Sequence, residues 1–186
     1  MYNKKIKMTV IVALLSDDNE VVVGSDSAGI SDSELDIRSD PKLFVKNGCI
    51  FGFCGSYRVC QLVRYHFNFP KFDIKEKLDP MEYMVTKVIV PLRALLKEFE
   101  VDKESEDFSF IMGFKKNLFV VSADLQVASQ RDGFCAIGAG AQIAKGALYV
   151  AKKAGCFSGK NAVVMGLKAA ERYSTEVRGP FVIETI

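Results

Sequence analysis

Three residues of this chain have the types and spacing for a nucleophilic site: Thr9, Asp26 and Lys42. Thr9 opens the apolar run Thr9-Val10-Ile11-Val12-Ala13-Leu14-Leu15, and Asp26 closes a second run in Gly24-Ser25-Asp26-Ser27-Ala28-Gly29. A hydroxyl is a weak nucleophile until a base takes its proton. The usual base has little support: there is one histidine, His66, and no Gly-x-Ser-x-Gly sequence. An N-terminal amine is one of the few alternatives. Its reference pKa of about 7.7–8 leaves a neutral fraction near pH 7, and on a Thr it lies within reach of its own hydroxyl. A neighbouring Lys lowers the pKa of that amine, and an Asp orients the Lys and balances its charge. Taken singly the three residues are ordinary, since Thr is common in strands, Asp at strand ends and Lys on solvent faces. Residues 1–8 precede Thr9, so its nitrogen is an amide until they are removed or unless the chain starts at Met8. The expected organisation is an N-terminal extension, 1–8, and a single domain, 9–186.

What must position these residues is set by length and pattern. The chain has 186 residues, enough for one domain with a sizeable core, and a net charge of +2. Near-neutrality argues against a nucleic-acid protein, and no apolar stretch is long enough to cross a bilayer. Lys4, Lys5 and Lys7 before an apolar run look like the start of a signal peptide, but no small-x-small cleavage site follows. The five cysteines, Cys49, Cys54, Cys60, Cys135 and Cys156, contain no Cys-x-x-Cys pair. Buried, reduced thiols in a cytoplasmic protein are expected, with no metal site and no cofactor.

Residues 9–15 and 20–26 read as a hairpin with both faces covered. Residues 30–41 read as polar and turn-rich. Residues 42–45 and 49–53 flank Asn47-Gly48, a strong hairpin signal. Ser56 is an expected N-cap for a helix carrying Val59, Leu62, Val63 and His66, the last as a core or edge histidine. Asp79-Pro80-Met81-Glu82 opens a second helix, in which Pro91 predicts a kink. Residues 108–114 and 118–122 form another hairpin, and 134–137 a short strand. Helices follow from Gly140 and from Ser158 through Tyr173, and a strand spans 181–186. Strands and helices come in blocks, which predicts α+β with antiparallel sheets and helix layers outside a two-sheet sandwich. Two phosphate-loop near-misses fail on spacing. Gly155 to Asn161 is one residue short of a P-loop, and Gly138-Ala139-Gly140 lacks the third dinucleotide-binding glycine at Ile143. Both read better as helix starts.

The ordered set of motifs resembles the proteasome β-subunit superfamily, nearest to HslV-type peptidases and their uncharacterised relatives. The set is Thr9-Val10-Ile11-Val12, Gly24-Ser25-Asp26-Ser27, Asp40-Pro41-Lys42-Leu43-Phe44, Phe51-Gly52-Phe53-Cys54-Gly55-Ser56 and Ala136-Ile137-Gly138-Ala139-Gly140. The spacing from Asp26 to Lys42 matches the family pattern. The resemblance implies a four-layer αββα sandwich of the N-terminal-nucleophile hydrolase type. It implies a threonine peptidase with Thr9 as nucleophile, Lys42 and Asp26 as supports and a backbone N–H near Gly55 as oxyanion donor. It also implies substrate contacts at Gly29 and Asp40, where the Asp40 charge would favour basic residues. Implied partners are a peptide or unfolded-protein substrate, a homo-oligomeric ring and an AAA+ unfoldase. Where the family carries a serine between two glycines this chain has Ala139. Two alternatives stay open: a non-catalytic ring subunit or scaffold of the same fold, and an N-terminal-nucleophile amidase acting on a small molecule.

Overall fold

The computed structural model describes residues 9–31, 34–70, 78–102, 106–155 and 159–186. The first run of apolar residues forms β1 (Val10–Leu15) and the second β2 (Val21–Ser25), paired antiparallel with Ile11 opposite Ser25. The turn between them is closed by Ser16 N–H donating to Glu20 O, with Asn19 in the left-handed region at φ 64°. After β2 come β3 (Ala28–Ser31), β4 (Glu34–Ile37), β5 (Leu43–Lys46), β6 (Cys49–Gly55) and helix α1 (Tyr57–His66). Helix α2 (Pro80–Tyr83) passes through a π-helical turn, Met84–Val88, into α3 (Ile89–Glu98). The chain ends with β7 (Phe108–Phe114), β8 (Asn117–Ser122), β9 (Val127–Ser129), β10 (Phe134–Gly138), α4 (Ala141–Lys153), α5 (Gly159–Tyr173) and β11 (Val182–Thr185).

The strands form one sheet of order β10-β1-β2-β11, one of order β5-β6-β7-β8-β9 and the small pair β3-β4, with every pairing antiparallel. This is the α+β class expected from the block order. Alternation along β1 and β2 sorts their side chains between two cores. Val10, Val12, Leu14 and Val22 pack with Ala144, Leu148, Val163 and Leu167 of α4 and α5. Ile11, Ala13, Val21 and Val23 pack with Leu43, Ile50, Ile111 and Leu118 of the second sheet. The other face of that sheet carries Phe51, Phe53, Phe110 and Phe119 against Val59 and Val63 of α1 and Leu92 and Leu96 of α3. Both faces of each large sheet are therefore covered, which is why β1, β2 and β6 lack polar alternation.

Three local expectations are refined. Residues 28–31 and 34–37 pair as antiparallel strands β3 and β4 rather than forming an irregular segment. All four residues of β4 are exposed, including Leu35 and Ile37, so no buried face imposed an alternating pattern there. Where a kink is expected at Pro91, the helix carries a π-helical turn, Met84–Val88, just before it. Pro91 has no N–H for the Lys87 carbonyl and its ring crowds that oxygen, and a wider turn relieves both. His66 is exposed at the end of α1, its ring 4.8 Å from that of Phe99. The expected caps hold: Ser56 Oγ accepts from Val59 N–H, and Asp79 accepts from Met81 and Glu82 N–H. Residues 1–8, Cys156 and Ser158 lie outside the described residues. Among the described residues no helix is long and apolar enough to cross a membrane.

Candidate active site

Thr9, Asp26 and Lys42 converge at one end of the two sheets. Thr9 stands immediately before β1, Asp26 immediately after β2, and Lys42 immediately before β5. The hairpin register sets the first two side by side, because Ile11 opposite Ser25 leaves Val10 O to accept from Asp26 N–H at 3.4 Å. Lys42 enters from the second sheet, where its own carbonyl accepts from Phe53 N–H at 2.9 Å. All three are buried, at 1%, 1% and 4% relative exposure for Thr9, Asp26 and Lys42.

Their polar groups satisfy one another. Lys42 Nζ donates to Thr9 Oγ1 and, at 2.7 Å, to Asp26 Oδ1. Thr9 Oγ1 donates to the same carboxylate oxygen. Asp26 also receives Val10 N–H on Oδ1 at 3.0 Å, and Ala28 N–H at 3.2 Å and Arg178 N–H at 3.4 Å on Oδ2. Buried charge needs this density of donors to persist. Burial lowers the Lys42 pKa from its ordinary 10.5, opposed by the attraction of Asp26. The ammonium is thereby a hydrogen-bond donor to the Thr9 oxygen and a group poised to lose its proton more readily than a surface lysine.

Gly55 closes the other side. Its φ is +95°, and a Cβ there would lie 2.3 Å from Asp107 O, so only glycine fits this turn. Ser56 N–H donates to Asp107 O at 3.1 Å, making Ser56 and Asp107 a hydrogen-bonded pair at the end of the β6-β7 ladder. Antiparallel alternation then directs Gly55 N–H away from β7. Gly138 has φ +96°, and a Cβ on it would strike Thr9 O at 2.3 Å. Gly140 N–H donates to that same carbonyl at 3.4 Å. The Gly138-Ala139-Gly140 turn thus grips the Thr9 backbone at the start of α4.

A narrow cleft is lined by Thr9, Lys42, Phe53, Gly55, Ser56, Tyr57 and Cys60. Burial pushes the Cys60 thiol up to about 11, so near neutral pH it is protonated and a weak nucleophile. The Tyr57 hydroxyl is buried without a hydrogen-bond partner among the described residues, and burial raises its pKa above the ordinary value. The Arg38 guanidinium lies 3.7 Å from the Tyr57 ring centroid. Cys49, Cys54, Cys60 and Cys135 form no disulfide among the described residues and are buried, as expected for structural thiols.

Of the residues expected to act, Thr9, Asp26, Lys42 and Gly55 are brought together. Gly29 and Asp40 are nearby but do not line the cleft. Gly29 pairs with Asp36 in the β3-β4 hairpin, with the Arg38 side chain packed over it. Asp40 is bound by Arg38 through Nε at 2.8 Å and Nη2 at 2.7 Å, which holds its carboxyl below the usual value. Sequence reasoning passed over Tyr57, Cys60 and the Arg178 N–H. Tyr57 was read only as part of a helix and Cys60 only as a buried thiol, and a backbone donor 152 positions from Asp26 has no side-chain signature.

No protein-family model and no curated protein matches the chain. Solved structures do share its fold. BPH from Thiobacillus denitrificans, in complex with epoxomicin, superposes with a TM-score of 0.78 over 96% of this chain and 98% of that one, at 18% identity. Eukaryotic HslV from Trypanosoma brucei gives 0.71 over 95% and 98% at 19% identity. Anbu, an ancestral β-subunit from Yersinia bercovieri, gives 0.66 over 95% and 81% at 14% identity. The likeness is one of fold, and these are the HslV-like and proteasome-like neighbours that the sequence motifs led one to expect.

Proposed function

We propose that this chain, which has the fold of the proteasome β-subunit superfamily, is a threonine peptidase whose nucleophile is Thr9, exposed when residues 1–8 are removed. The observation that carries the reading is the Thr9 hydroxyl held between the Lys42 ammonium and the Asp26 carboxylate. We read the three hydrophobic cores as the contacts between layers of a four-layer αββα sandwich of the N-terminal-nucleophile type. Residues 9–186 are its single domain.

In this mechanism the free Thr9 amine takes the hydroxyl proton as Oγ bonds to the substrate's carbonyl carbon. Lys42 remains charged, lowers the amine's pKa and donates to the developing alkoxide. Asp26 fixes Lys42 and the start of β1. Gly55 N–H faces the carbonyl oxygen as it gains charge, an interaction worth about 3–4 kcal/mol in sites of this kind. Collapse breaks the C–N bond, and the proton on the Thr9 amine goes to the leaving amine. Water, deprotonated by the same amine, then cleaves the ester on Oγ and restores the site.

Peptides or unfolded proteins are the proposed substrates. A homo-oligomeric ring in the cytoplasm is proposed from the motif resemblance, with an AAA+ unfoldase as the partner that would feed it. The Ala139 position removes a hydroxyl that would otherwise assist, so turnover is expected to be modest.

The test is intact-mass spectrometry of protein expressed from its native start, with and without epoxomicin, the compound bound by the T. denitrificans protein. A chain that begins at Thr9 and gains the mass of one inhibitor, with loss of the adduct in Thr9→Ala, is the expected result. An unmodified chain beginning at Thr9 would instead favour a non-catalytic ring subunit. Hydrolysis of small amides but not peptides would favour an amidase.

A further inference from the structure

The turn that presents Gly55 is not held by its own strand alone. Two residues ahead of β7, Glu106 and Asp107, hold it from outside. Asp107 O accepts from Ser56 N–H at 3.1 Å and occupies the space where a Gly55 side chain would be. Glu106 Oε2 accepts from Ser56 Oγ at 3.0 Å. Ser56 Oγ in turn accepts from Val59 N–H at 3.3 Å. A hydroxyl has one proton. Giving it to Glu106 fixes the rotor so that a lone pair caps α1. Glu106 Oε1 is bound by Arg58 Nη1, and Arg58 Nη2 reaches Phe99 O at the end of α3. The Glu106 side chain is only 22% exposed, so these contacts are sheltered from solvent on the carboxylate side.

We propose that Glu106 is a positioning residue for the Gly55 turn: through Ser56 it sets the direction of the Gly55 N–H that faces the cleft. The proposal rests on the reading of Gly55 as oxyanion donor given above. It deepens that reading by naming what holds the donor still. Preorganisation is what such a donor contributes, because a donor free to rotate must be ordered again in each transition state. Glycine reaches φ +95° without strain but has no intrinsic preference for it, so outside contacts are what keep the turn in place. Glu106 touches no reacting atom.

The experiment uses the full-length protein and its Glu106→Ala and Glu106→Gln variants. Hydrogen exchange is followed by mass spectrometry over residues 54–58, alongside thermal unfolding and, on processed protein, peptide turnover. Glu106→Ala is expected to speed exchange in this segment about tenfold, while exchange in β1 and β2 stays as in the parent. Its kcat falls about tenfold with KM within about twofold. Glu106→Gln keeps an oxygen for Ser56 and loses the charge facing Arg58, so it shows a smaller rise in exchange. Unchanged exchange over 54–58 in Glu106→Ala overturns the proposal, and so does a rise shared evenly with β1 and β2. If the parent protein turns over no peptide and takes no epoxomicin, the peptidase reading falls. The exchange data then still decide whether Glu106 holds the turn.

Discussion

Two ion pairs stand at the same end of the molecule and differ mainly in burial. Lys42–Asp26 spans 2.7 Å with side chains 4% and 0% exposed, and Arg38–Asp40 spans 2.7 Å at 35% and 41%. Burial lowers the pKa of Lys42, against the pull of its partner. In the exposed pair the hydrogen bond dominates, holding the Asp40 carboxyl low and the Arg38 guanidinium high. Equal distances thus give opposite behaviour. The exposed pair is a fixed pair of charges whose role is geometric, since Arg38 also covers the Tyr57 ring. The buried pair is held at a cost in desolvation, and in return it keeps a proton-bearing group against the Thr9 hydroxyl.

The largest test of that contrast removes one member of the buried pair. Asp26→Ala strands the Lys42 ammonium and leaves the N–H groups of Val10, Ala28 and Arg178 without their acceptor. A loss of about 3–5 kcal/mol in urea unfolding is expected. Lys42→Met leaves Asp26 with those three N–H donors, so the loss is smaller, about 1–3 kcal/mol. Peptide turnover nevertheless falls by about 10²-fold or more, because the donor to the Thr9 oxygen is gone. Equal stability losses in the two variants would show that Asp26 is not the structural centre of the site.

The pH dependence sharpens the same contrast. Lys42 in the folded protein binds its proton more weakly than in the unfolded chain. Between the lowered value and 10.5 the unfolded chain therefore carries more protons, and stability contributed by this residue rises with pH through that window. Activity moves the other way. The alkaline limb of kcat/KM is expected below pH 10.5, where Lys42 loses its charge, and Lys42→Arg should abolish that limb even if it lowers the rate. Asp40 gives the same sign of stability slope at the acid end. Its carboxyl is held below 3.8, so its contribution is present above that pH and is lost as pH falls through the lowered value. Titration curves of stability at the acid end should therefore respond to Asp40→Asn, and those at the alkaline end to Lys42 variants.

What could be read from the sequence follows from what burial writes into it. β1, β2, β6 and β7 are covered on both faces, and their apolar runs announced them. Thr9, Asp26 and Lys42 were legible because each stands at the end of such a run, where strand register leaves little freedom. The β3-β4 hairpin was not, because Leu35 and Ile37 sit 48% and 52% exposed on a strand with no buried face. The grip on Asp26 from Arg178 and on Ser56 from Glu106 was also invisible. One is a backbone group, and the other a carboxylate in a charged stretch that reads as solvated surface. Tertiary proximity alone gives these residues a role.

The smallest effect is expected at Asp40. Its charge near the site suggested a preference for basic substrate residues, but its carboxylate is engaged by Arg38 and does not line the cleft. An exposed pair of this kind contributes about 0–1 kcal/mol, and salt screens what remains. Asp40→Ala should therefore change unfolding free energy by less than about 1 kcal/mol. Its freed Arg38 guanidinium still rests on Tyr57, which limits the disturbance. On matched peptides with Arg or Leu before the cleaved bond, the ratio of kcat/KM should move by less than about threefold. A larger swing against Arg would mean that substrate binding parts Asp40 from Arg38 and that the exposed pair takes part in recognition. The two pairs would then differ in when they act rather than in whether they act.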